Sequence, residues 1–205
     1  PYTTLFRSSS LGIDLFFVIS GVVMWLSTHE RKLKPHQFMI NRLVRIAPLY
    51  WALTLLVAGL AFAAPTLFRS TNFELDHVVA SLAFMPWPNP ASSQLTPVIV
   101  PGWTLNYEMF FYLVFALTLP LKPMLRIGGV VIVLGSLALA GSLQRETEII
   151  GFYTNPILIE FALGVVLGAL YTSKLVVPKA AALASCAGAL ILSVLAFEHM
   201  SVSGV

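Results

Sequence analysis

The sequence predicts an all-α fold, a polytopic transmembrane helix bundle of about six spans plus one short interfacial helix. Three observations lead there. Of 205 residues, 58% are hydrophobic and only 10% charged, whereas a soluble domain carries roughly 25% charged residues. The apolar residues fall into six runs, each near the ~17–20 residues that cross a hydrocarbon core at ~1.5 Å rise per residue. The basic residues between the runs alternate in density, as connections on the two sides of a bilayer do.

Along the chain, Pro1-Tyr2-Thr3-Thr4-Leu5-Phe6-Arg7-Ser8 looks like a translated sequencing-library adapter. Residues 1–10 are therefore set aside as a non-native segment. Residues 11–205 are read as a partial transmembrane domain lacking its first helix and further C-terminal spans. The predicted spans are residues 11–28, 46–64, 102–121, 124–143, 156–172 and 180–197. Residues 73–85 are too short to cross. With Glu74, Asp76 and His77 at one end and an apolar remainder, they predict an interfacial or re-entrant helix. Residues 86–101 hold five prolines and predict irregular backbone. The single cysteine, Cys186, lies in an apolar stretch and is read as a small buried residue.

Nine basic residues (Arg31, Lys32, Lys34, Arg42, Arg45, Lys122, Arg126, Lys174 and Lys179) fall in alternate connections, against Arg69 and Arg145 in the others. The positive-inside rule then makes connections 27–45, 122–126 and 173–179 cytoplasmic and 65–101 and 144–155 external. Trp51, Trp87, Trp103 and Tyr153 sit at span ends, where interfacial aromatics belong. The net charge of +3 is small and gives no sign of nucleic-acid binding. No metal-ligand spacing is evident.

Charges inside the spans are the main clue to function, because an ionisable group there costs at least ~2.5–3.5 kcal/mol unless it is paired or hydrated. Glu108 lies about six residues into its span, roughly 8–9 Å from the outer end. Asp14 and Glu160 are expected at comparable depth. Such carboxylates suit a general acid or base, a proton relay or a cation site; they also close hydrogen-bond networks between helices. Glu160 leans to the structural role, because it shares an i, i+4, i+8 face with Gly164 and Gly168, a helix-packing pattern. On the cytoplasmic side, Arg42 and Arg45 share one helix face. Two guanidiniums there can converge on one phosphate or serve only as membrane anchors. Pro48 follows, so residues from His36 are expected to form a surface helix that bends into the membrane. The histidines, His29, His36, His77 and His199, are not expected deep beside the carboxylates.

Three stretches together resemble the membrane-bound acyltransferase-3 family. They are Gly12-Ile13-Asp14-Leu15-Phe16-Phe17-Val18-Ile19-Ser20-Gly21, then Asn41-Arg42-Leu43-Val44-Arg45-Ile46-Ala47-Pro48-Leu49-Tyr50-Trp51, then Trp103-Thr104-Leu105-Asn106-Tyr107-Glu108-Met109-Phe110-Phe111-Tyr112. The resemblance implies transfer of an acyl group, acetyl first, from cytoplasmic acyl-CoA to a hydroxyl of a glycan or lipid-linked sugar, in a bacterial inner membrane. It implies that Arg42 and Arg45 bind the donor, that Glu108 and Asp14 are catalytic, and that Trp103, Asn106 and Tyr112 bind substrate. No bound cofactor or metal is expected. The family's catalytic histidine lies on a helix before the Gly12–Gly21 stretch, where this chain has the adapter-like residues, so the 205 residues alone are expected to be inactive. Two other readings stay open: a proton-coupled transporter, which also uses intramembrane carboxylates, and a non-catalytic membrane component of polysaccharide assembly.

Overall fold

The computed structural model describes residues 2–31, 33–64, 73–92, 94–143 and 148–173, with side chains described from Gly12 onward. The predicted span 180–197, with Cys186 and His199, lies outside the described residues. Those described form seven α-helices and no strand: α1 Tyr2–Thr28, α2 Pro35–Ala63, α3 Leu75–Leu82, α4 Trp103–Thr118, α5 Pro123–Leu143, α6 Glu148–Tyr153 and α7 Leu158–Thr172. The helical-bundle class expected from hydropathy is the class observed. Residues through Ala169 form one compact unit; of the second, from Leu170 on, only the last turn of α7 and Ser173 are described.

Several boundaries differ from the expectation. The segment from His36 is no separate surface helix, because α2 runs unbroken from Pro35 through Pro48 to Ala63. Pro35 opens it, where a missing N–H costs nothing. Pro48 is solvent- or lipid-exposed in its middle, a position that a membrane-spanning helix tolerates. Helix α1 starts at Tyr2, so residues 2–10 continue into the first predicted span as one helix. Three helical stretches are long and apolar enough to cross a membrane: α2, α5 and Glu148–Thr172. The apolar part of α1, Gly12–Thr28, is shorter, and α4 has 16 residues where 20 were expected. Helix α6 occupies part of the predicted external connection 144–155; six residues are too few for periodicity to announce.

Helix α4 is the hub. Ten of its 16 residues are buried, and only a stripe through Leu113 and Leu117 is exposed, as expected of a helix largely enclosed by others. Its Phe111 stacks on Phe161 of α7 at 4.3 Å, and Phe161 meets Phe17 of α1 at 4.5 Å. On another side Phe115 packs on Phe38 of α2 at 5.6 Å. Tyr107 stacks on Phe152 of α6 at 3.8 Å.

Helices α1 and α7 touch backbone to backbone. A Cβ on Gly164 would lie 2.1 Å from the Val18 carbonyl oxygen, and one on Gly21 would lie 2.4 Å from that of Phe161. A Cβ on Gly168 would press on Trp25 at 3.0 Å. The Gly164 and Gly168 face is thus a packing face, as small residues at four-residue spacing allow.

The proline-rich segment 86–101 is irregular as expected, with an isolated bridge between Pro88 and Leu95 and a 3-10 turn at Val100–Gly102. Two fully buried polar side chains of α3 hold it. His77 Nε2 meets the Thr96 carbonyl at 2.8 Å, and Ser81 Oγ accepts the Val98 N–H at 3.0 Å. Helix α3 also lies along the C-terminal half of α2, where the Trp51 indole N–H donates to the Leu82 carbonyl at 2.8 Å.

Candidate functional site

Helix α4 starts halfway along α2. A Cβ on Gly102, the residue before α4, would lie 2.8 Å from the Tyr50 ring, and α2 continues 13 residues beyond Tyr50. Segment 75–101 packs along that C-terminal half. Counting back at ~1.5 Å per residue, Glu108 lies ~9 Å below Gly102, and Arg45 and Arg42 lie ~8 and ~12 Å below Tyr50. The carboxylate and the two guanidiniums therefore share one level.

This departs from the expectation that the arginines and Glu108 lie at separate depths. Measured from the end of its own apolar run, Glu108 seemed an outer-half group. Folded, that run begins well down α2.

The three charged groups line one cavity of about 300 Å3, with Ser20 of α1 and Tyr112 of α4. Its size is at the lower end for small-molecule sites. Glu108 is 7% exposed. The Tyr112 hydroxyl, one helical turn on, donates to Glu108 Oε1, and Ser20 Oγ makes a longer contact to the same oxygen at 3.5 Å. The charges of Arg42 and Arg45 act on the carboxylate across the cavity.

Arg42 is itself held in place. Its guanidinium lies over the rings of Phe38 at 5.3 Å and Tyr112 at 5.7 Å, and Nη2 donates to Ser27 Oγ at 2.8 Å. Stacking of this kind pre-orients a planar cation. Arg45 is exposed at the cavity's edge. The cavity thus pairs two cations with a buried carboxylate that has a hydroxyl donor, an arrangement able to grip an anionic ligand and hydrogen-bond a hydroxyl beside it.

The other expected site residues lie elsewhere. Asp14 is not on this cavity; it pairs with the side chain of Glu160 between α1 and α7, next to the glycine face. Trp103 packs edge-on against Phe17 at 6.4 Å and Tyr107 at 5.8 Å. Asn106 points away from Glu108 and lines a second cavity on the other side of the α2–α4 contact. His29, His36 and His77 are not among the residues around the Glu108 cavity. Ser20, Ser27 and Phe38 were missed from sequence. Ser20 carried a signal, a hydroxyl beside Gly21 in an apolar run; Ser27 and Phe38 carried none. Among the described residues no group of three metal-binding side chains occurs.

The family model described as Acyltransferase domain matches residues 1–203. Over 177 residues the chain is 38% identical to the exopolysaccharide production protein ExoZ of Rhizobium meliloti (strain 1021), an alignment covering 85% of this chain and 55% of that protein. The chain therefore spans little more than half the length of this curated relative. No solved structure matches it.

Proposed function

This chain belongs to the acyltransferase-3 family, and from that premise we propose that it forms the donor-binding part of a membrane-bound O-acyltransferase. The reaction moves an acyl group, acetyl first, from acyl-CoA to a hydroxyl of an exported or cell-surface glycan. The thioester C–S bond breaks, an ester C–O bond forms, the hydroxyl proton leaves to a base, and the CoA thiolate regains a proton. The observation that carries the reading is Arg42, Arg45 and Glu108 around one cavity.

In this reading the guanidiniums bind the donor's phosphates, because planar, permanently charged forks match phosphate oxygens. Glu108 accepts a hydrogen bond from the acceptor hydroxyl and holds it at the thioester carbon, while Tyr112 and Ser20 hold Glu108. Positioning of this kind removes much of a bimolecular barrier. The protein resides in a bacterial inner membrane as a multi-pass protein, with connections 27–45, 122–126 and 173–179 in the cytoplasm, where acyl-CoA is made. Asp14 and Glu160 brace α1 against α7 beside the site. Of the described histidines, His29, His36 and His77, none lines the cavity.

The test uses the protein in detergent or nanodiscs. Arg42→Ala with Arg45→Ala is expected to weaken acyl-CoA binding about a hundredfold, as loss of two charge-assisted contacts does. Glu108→Gln is expected to keep donor affinity within about threefold while transfer falls by ~10² or more, the usual size of such a contribution. Unchanged donor binding in the double variant sinks the phosphate site. Normal transfer in Glu108→Gln leaves the carboxylate as packing and favours a non-catalytic or transport role.

A further inference from the structure

Helix α3 ends on a residue that its turn does not favour. The Met85 N–H donates to the Ala80 carbonyl at 2.9 Å, and the Phe84 N–H to the Ser81 carbonyl at 3.0 Å. This is the two-bond C-terminal cap whose left-handed residue is most often glycine. Here that residue is Phe84, at φ 56°, and no other non-glycine residue among those described has a positive φ. Glycine makes the same turn without the clash of Cβ against the backbone that the left-handed region imposes. Such strain persists where the surrounding structure over-determines it. The turn gives no reason for a phenylalanine, whereas the contacts of its ring do.

The Phe84 ring is buried and stacks on Tyr50 of α2 at 4.9 Å, with 28° between the planes. Trp51, the next residue of α2, donates its indole N–H to the Leu82 carbonyl. The end of α3 is therefore tied to α2 at this level, and the ring of Phe84 is a wedge fixed there. The Tyr50 ring also meets the residue that opens α4, since a Cβ on Gly102 would lie 2.8 Å from its Cε2 atom. Tyr50 thus touches both the wedge and the start of α4. Beside these contacts lies a cavity of about 250 Å3, lined by Met39 and Leu43 of α2, Met109 of α4 and Phe84 itself. On this side, packing between α2 and α4 does not by itself fix their relative level.

We propose that Phe84 is a positioning residue for the Glu108 cavity. Its ring holds the Tyr50 ring against Gly102. Gly102 fixes where α4 begins along α2, and Glu108, six residues on, then comes level with Arg42 and Arg45. The strained turn is kept because only a side chain with a flat apolar face holds Tyr50 from that point. The effect on transfer rests on the acyl-transfer reading; the placement of α4 does not.

The test reads placement and chemistry separately, on the protein in lipid nanodiscs. In a Cys186→Ser background, spin labels are attached to Leu60→Cys on α2 and Leu117→Cys on α4, both exposed positions. They lie ~15 Å from Tyr50 in one direction and ~22 Å from Gly102 in the other. A slide of α4 along α2 therefore changes their separation almost one for one. Pulsed electron double resonance is expected to give one narrow distance in the parent protein. Phe84→Gly keeps the turn, removes the ring, and is expected to move or broaden that distance by ~1.5 Å or more, one residue's rise. Phe84→Leu keeps the apolar bulk without the flat face and is expected to do the same, which keeps the test decisive should Phe84→Gly fold poorly. Phe84→Tyr keeps the ring and is expected to retain the narrow distance. Tyr50→Leu is expected to shift it as Phe84→Leu does, and the double variant no further, because both act through one contact.

An unmoved distance in Phe84→Gly and Phe84→Leu overturns the proposal. So does a double variant whose shift is the sum of the two single ones. Transfer from acyl-CoA is measured in the same samples. In Phe84→Leu it is expected to fall ~10²-fold, as a misplacement of about 1 Å does, while donor affinity, carried by the arginines of α2, falls less than tenfold. A moved distance with transfer kept overturns the link between Phe84 and the Glu108 cavity. Absence of donor binding and transfer in the parent protein, with the distances behaving as expected, would instead count against the acyl-transfer reading alone.

Discussion

Glu108 is tolerable inside the bundle because its partners come from close by. Tyr112 supplies a hydroxyl from the next turn of the same helix, Ser20 comes from α1, and two guanidiniums from α2 share the cavity. Tyr112 has two duties, since its hydroxyl faces Glu108 and its ring carries Arg42. Tyr112→Phe separates them: the ring stays and the donor goes. Transfer is expected to fall roughly tenfold for the lost hydrogen bond, with donor affinity kept. A parallel loss of donor binding, measured by titration calorimetry, would mean that the hydroxyl orders the arginine as well. The charged residues of this site were legible in sequence, because a charge in an apolar run stands out. Asn106 was legible as polar, but the side of α4 it faces was not.

At the scale of elements, the contact of α1 with α7 rests on the absence of side chains. Gly164→Leu puts a branched chain where even a Cβ would overlap the Val18 carbonyl. Overpacking a tight site costs ~1–3 kcal/mol, occasionally more. The expected outcome is a lower unfolding temperature and a smaller monodisperse peak in size-exclusion chromatography, whereas Gly59→Leu, with open space around it, should cost little. The glycine spacing was visible in sequence, though its partner, the Gly21 turn of α1, was not.

Helix α3 shows the reverse. Its hydropathy made it an interfacial helix, but its use is polar. Buried His77 and Ser81 clamp the chain at Thr96 and Val98 just before α4 begins. His77→Ala is expected to cost ~1–3 kcal/mol for the buried carbonyl left unpaired. Amide exchange over residues 94–102 should then speed up. Unaltered exchange there would remove His77 from the account of how α4 is placed.

For the molecule as a whole, the charge distribution between loops makes a topological prediction. In a Cys186→Ser background, single cysteines at Ser27 or Lys122 are expected to react with a membrane-impermeant maleimide only after the inner face is exposed. A cysteine at Ala91 is expected to react from outside. The opposite pattern would invert the bundle and put the arginine-lined cavity out of reach of cytoplasmic acyl-CoA. The same scale explains why Arg42, Arg45 and Glu108 meet. Segment 75–101 takes up the C-terminal half of α2, so the short helix α4 begins beside Tyr50, and its sixth residue comes level with the arginines.

By itself the sequence determined the class of fold, the buried charges and the family. Backbone polar groups in hydrocarbon must be bonded within helices or closed barrels, apolar runs of ~17–20 residues fit helices and not strands, and the family rests on contiguous motifs that need no folding to be read. Tertiary structure alone decided which of those residues meet: the Arg42 and Arg45 pair shares a cavity with Glu108, Asp14 meets the side chain of Glu160, and Asn106 lies off that cavity. The reason is geometric. The level of α4 is set by the path of a proline-rich segment and its side-chain clamps, which carry no periodicity. A helix's faces acquire meaning only when its neighbours are in place.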